Sequence, residues 1–130
     1  MTTYKGVAAR IFCGSASASV KIGARTVSFK NGACAQTSQY VTVNIGTILL
    51  GRSASKPNYF GLNIGKVFGS GKAAAKDGSY KGGALAVAFA GKGYAVRADT
   101  IEVSLSGNRH KGTFTGTLLT GGTLSGSFAC

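Results

Sequence analysis

The sequence predicts an all-β domain, and three observations carry that prediction. Apolar and polar residues alternate along most of the chain. Helical periodicity is almost absent, and the apolar runs are short, separated by turns rich in Gly, Asn and Asp. About ten short strands at this close spacing pack as a single antiparallel β-sandwich, with a β-barrel as the alternative. The 130 residues suffice for one domain with a real core, so residues 1–130 are taken as one unit. No repeat has a constant period, which argues against a solenoid or propeller.

The elements follow in order. Near the start, Val7, Ala9, Ile11 and Cys13 share one parity, as on the inward face of a strand. In "SVKIGARTVSF", Val20 and Ile22 lead into Gly23-Ala24, and Val27 and Phe29 lead out. A glycine first in a two-residue turn suits type II′ hairpin geometry. "QYVTVNIGTILL" alternates Val41, Val43 and Ile45 with Thr42, Asn44 and Gly46. A basic loop, "GRSASKPN", holds Pro57, the single proline, before "NYFGLNIGKVF" puts Phe60, Leu62 and Ile64 on one side. Asp77-Gly78 makes a turn. "GGALAVAFAG" then sets Leu85, Val87 and Phe89 against Ala84, Ala86, Ala88 and Ala90. Two strands bent at Arg97-Ala98-Asp99 follow, with Ile101, Val103 and Leu105 inward.

The tail, "GTFTGTLLTGGTLSGSFAC", reads as a hairpin with one apolar and one hydroxyl face. Phe114, Gly116, Leu118, Leu124, Gly126, Phe128 and Cys130 share a parity; Thr113, Thr115, Thr117, Thr123, Ser125 and Ser127 share the other. Leu119-Thr120-Gly121-Gly122 forms the turn. Cys130 thus points inward at a position that would fray unless held, and a disulfide would hold it. Three cysteines allow three single pairings. Cys13–Cys130 is favoured because both face inward; Cys34–Cys130 is the alternative. The remaining reading is three reduced cysteines packed as small hydrophobes.

Composition narrows the function classes. Fifteen basic residues against three acidic ones give a net charge of +12, which favours anionic partners. Candidate contacts are Lys21 and Arg25 on the first hairpin and Lys66, Lys72, Lys76 and Lys81 in the middle. Nucleic acid is the less favoured anion, because there is no basic block or aromatic RNA-binding motif. No stretch reaches transmembrane length. "MTTYKGVAAR" is not a signal peptide, and the inward cysteines favour an exported protein whose export signal has been removed.

Catalytic chemistry finds little support. Asp77, Asp99 and Glu102 form no pair for acid–base work, and His110, the single histidine, sits in a turn. No cysteine spacing suits zinc. "GSGK" at residues 69–72 lacks the hydroxyl residue and glycine spacing of a phosphate loop. No catalytic residue, cofactor or metal is expected. The alanine row is the other anomaly: a strand apolar on both faces is either covered by another layer or lines a groove. Ala84, Ala86 and Ala88 are therefore candidates for an apolar groove that takes a lipid or other amphiphile.

Several stretches resemble a known family. "IFCGSASASVKIG", "GSGKAAAKDGSYK" and the terminal Cys130 resemble actinobacterial surface lipoproteins of the LpqH antigen type; "YVTVNIGTILLG" and the tail are similar to other small secreted actinobacterial proteins. The resemblance implies an exported, non-enzymatic β-sandwich with a disulfide from the early cysteine to the last, which maps to Cys13 and Cys130. It also implies association with lipid binding, adhesion and immune recognition. Cys34 departs from the two-cysteine pattern, and "RIFC" does not fit a lipidation site. The expected function is a non-catalytic surface or secreted domain that binds an amphiphile. The alternatives are a basic module for nucleic acid or acidic polysaccharide, and a self-assembling surface protein.

Overall fold

A computed structural model describes residues 2–4, 7–49 and 57–130. The basic loop at 51–56 lies outside the described residues. Twelve strands are described: β1 (Thr2–Tyr4), β2 (Val7–Phe12), β3 (Ala16–Ile22), β4 (Arg25–Gln36), β5 (Tyr40–Leu49), β6 (Tyr59–Gly65), β7 (Gly78–Lys81), β8 (Ala84–Phe89), β9 (Lys92–Ala95), β10 (Glu102–Ser106), β11 (Lys111–Thr117) and β12 (Thr123–Ala129). Short 3-10 turns at Lys66–Phe68 and Ala98–Thr100 are the described helical pieces. The fold is all-β and antiparallel, as the alternation predicts.

The strands form one curled sheet in the order β7-β10-β11-β12-β3-β4-β5-β6-β8-β9, with β2 beside β5 and β1 beside β2. The long strand β4 belongs to both halves. Its first part pairs with β3 and its last four residues with β5. Between them Asn31 takes a left-handed φ of 65° and the β3–β4 register shifts. A kink of this kind lets one strand turn a corner between two layers. The β9 edge then curls back onto the end of β11: Arg97 N–H donates to Thr117 O (2.8 Å) and Leu119 N–H to Ala95 O (3.0 Å). The result is a sheet curled into a half-barrel.

The core lies inside that curl. Phe60 on β6 meets Phe114 on β11 at 5.3 Å between ring centroids, and Phe29 at 5.9 Å. Val20, Val41, Val43, Ile45, Leu62, Ile64, Leu85, Val87, Ile101, Val103, Leu105, Leu124 and Phe128 are buried with them. These are the residues the alternation places inward. Gly23 has φ 60° and Ala24 does not adopt a positive φ, as a type II′ turn requires.

The inward glycines of the tail have a packing role. Across β11 and β12, Phe114 faces Gly126 and Gly112 faces Phe128. A Cβ at Gly112 would come within 2.8 Å of the Phe128 ring, and one at Gly126 within 2.8 Å of the Phe114 ring. Large and small residues alternate so that each ring lies over a bare backbone.

The cysteine pairing corrects the favoured expectation. The disulfide joins Cys34 to Cys130, with Cα atoms 5.9 Å apart, and Cys13 is an exposed free thiol. Inward parity on β2 does not reach Cys13: Ala9 is fully buried, but Ile11 is 54% exposed. Beyond Ala9 the chain rises out of the core and turns at Gly14 towards β3. Cys130 does pack against the core, as its parity requires.

Candidate functional site

The three acidic residues are all engaged. Asp77 accepts hydrogen bonds from the backbone N–H groups of Asn108 (3.1 Å) and Arg109 (2.7 Å). Asp99 lies 3.6 Å from Arg97, and Glu102 lies 3.7 Å from Lys81, both in exposed pairs. His110 is exposed, its Nδ1 3.3 Å from the carbonyl of Gly107. Among the described residues, no three His, Cys, Asp or Glu side chains converge as metal ligands would.

The candidate cations fall into two groups. Lys72 and Lys76 gather around Tyr80: Lys72 Nζ lies 4.8 Å from its ring, and the Tyr80 hydroxyl donates to the Lys76 carbonyl at 2.7 Å. Lys81 follows in sequence, and Lys66 sits exposed on the first 3-10 turn. Lys21 and Arg25 flank the Gly23 turn instead, with the Arg25 guanidinium 5.6 Å from the Phe89 ring. Phe89 stacks on Tyr94 at 5.2 Å, and Lys92 lies over Tyr94 at 5.2 Å. Lys30 and Lys111, which are not among the candidate contacts, are also exposed.

On β8, Ala84 and Ala86 are exposed and Ala88 is half-buried. No described layer covers them. They face Asn63, Gly61 and Tyr59 of β6 across the register, and Ala84 and Ala86 border a shallow depression of about 240 Å³. Tyr59 lies flat over Gly61 and donates a hydrogen bond to Asn44 Oδ1 at 2.6 Å. Burial raises its phenol above the usual tyrosine value.

Sequence reading missed a feature of the opposite half. Ser79, Ser104, Thr113, Ser127, Ser19 and Ser28 stand directly opposite one another across β7, β10, β11, β12, β3 and β4. They face solvent, with Ser19 partly covered. At about 4.8 Å per strand the row runs roughly 24 Å. The row beside it reads Lys81, Glu102, Thr115, Ser125, Lys21 and Thr26. Two shallow depressions, of about 360 and 450 Å³, lie along this face. The alternation within each strand carried half the signal; the alignment between strands distant in sequence carried the rest.

No family model matches the chain, and no curated protein or solved structure matches it.

Proposed function

We propose that this is an exported, non-catalytic domain that binds an anionic surface or polymer. The observation that supports this reading most directly is the state of the carboxylates. All three are occupied within the fold, while Lys21, Arg25, Lys30, Lys66, Lys72, Lys76, Lys92 and Lys111 remain exposed with no carboxylate partner among the described residues. A surface so unbalanced attracts polyanions through space. The Cys34–Cys130 disulfide supports export, since such bonds persist in oxidising compartments. The LpqH-type resemblance points the same way. No described helix is long and apolar enough to cross a membrane.

The test is affinity for an immobilised sulfated or carboxylated polymer at rising salt. Binding should fall steeply and linearly on a double-logarithmic plot, as charge-driven binding does. Absence of binding at low salt overturns the reading.

An amphiphile at the alanine row is the second reading. It is favoured by the exposure of Ala84 and Ala86 beside Tyr59, with nothing described above them. The depression is small beside ligand pockets of roughly 300–1,000 Å³, so an acyl chain would lie along the surface. Salt-tolerant co-sedimentation with neutral lipid vesicles would favour it over the first.

A further inference from the structure

The row of six hydroxyls goes beyond charge, and the inference drawn from it rests on the anionic-partner reading. We infer that the outer face of β7, β10, β11, β12, β3 and β4 is the docking face, and that its ligand is an acidic polysaccharide laid across the strands. Three observations converge. The hydroxyls are not consumed by the fold: the Ser and Thr side chains that hydrogen-bond described residues are Thr37, Ser70 and Thr100, none of them in this row. Their step from strand to strand, about 4.8 Å, is close to the rise of an extended sugar residue. Cations flank them on the same face, Lys21 in the neighbouring row and Lys30 and Lys111 close by, while Lys81 at the end of that row is paired with Glu102.

A chain of sugars carries hydroxyls that pair with hydroxyls and carboxylates that pair with lysines. Polyglutamate offers carboxylates without hydroxyls, and polyphosphate offers neither group. The face therefore selects a polymer that combines both groups. Bare cations would attract any polyanion, so the ladder is the part that distinguishes a glycan.

The experiment compares a polyuronate, a polyglutamate of matched charge density and a neutral glucan. Each is tested against the parent protein and the variant Ser104→Ala, Thr113→Val, Ser127→Ala. All three positions are exposed, so the fold should persist; Thr113→Val alone serves if the triple variant melts early. We expect the polyuronate to bind at least about tenfold more tightly than polyglutamate, the effect of a few hydroxyl contacts. The triple variant should lose that advantage and hold both polymers alike. If the parent holds both polymers equally and the variant matches it, the ladder inference falls and the anionic reading survives. If the glucan binds as tightly as the polyuronate, the acidic assignment is overturned. If no polymer binds, both readings fall together.

Discussion

Cys34 and Cys130 tie together the two strands that flank β3, at the end where β3 begins. Around them the chain is knitted further: Cys130 N–H donates to His110 O at 2.7 Å, and Gln36 Nε2 donates to Arg109 O at 3.3 Å. The bond spans 96 residues of sequence. In the chain-entropy model such a closure is worth about 4–5 kcal/mol.

Replacing both Cys34 and Cys130 with Ser should therefore lower stability by about 2–5 kcal/mol. Cys13→Ser, at an exposed site, should stay within about 0.5 kcal/mol of the parent. Denaturant melts measure both. Alkylation without reductant should label Cys13 alone, and a proteolytic digest should show Cys34 and Cys130 in one linked species.

Gly126→Ala should be destabilising out of proportion to one methyl group. Its Cβ would strike the Ser19 carbonyl, which is backbone, as well as the Phe114 ring. Overpacking of this kind costs about 1–3 kcal/mol. Phe114→Ala should cost about 3–5 kcal/mol by emptying the space beside Phe60. Thermal melts of the two variants would show both losses.

Tyr59 predicts an alkaline limit. Burial raises the folded-state value of its phenol above the ordinary one near 10.0, so the unfolded chain releases this proton first. Stability from this site is complete below that ordinary value and is lost as pH rises through it towards the folded one. The melting temperature should fall in that window, and Tyr59→Phe should flatten the fall. In a phenolate absorbance titration, Tyr59 should ionise late.

Asp77→Ala should loosen the β10–β11 turn, since it removes both acceptors from Asn108 and Arg109. Those two residues hold left-handed φ values of 58° and 64°. In this exposed setting the loss should be about 1 kcal/mol, seen as faster amide exchange at residues 107–110.

Much of this fold was legible because the inward residues of each strand repeat every second position. Leu85, Val87 and Phe89, or Ile101, Val103 and Leu105, need no knowledge of their neighbours to be placed. Cys13 was misplaced by the same rule. Parity holds only while a strand lies on the core, and β2 leaves it after Ala9. The hydroxyl row was half visible: Thr113 and Ser127 could be seen facing outward in the tail hairpin. Their alignment with Ser19 and Ser79 depends on β12 meeting β3 and on β10 meeting β7, pairings with no local signature. The alanine row was legible as an anomaly, but whether a layer covered it was a tertiary question.

The place of β12 carries a consequence for how the chain is made. It lies between β11 and β3, so β3, made before every strand from β4 to β11, pairs on one side with a strand made after all of them. Until that strand arrives, β3 presents an open row of amides and carbonyls to any passing chain. Closing a pairing so distant in sequence is slow. A nascent chain that still lacks β12 would be an aggregation hazard, and holding it unfolded until β12 has emerged would remove the hazard.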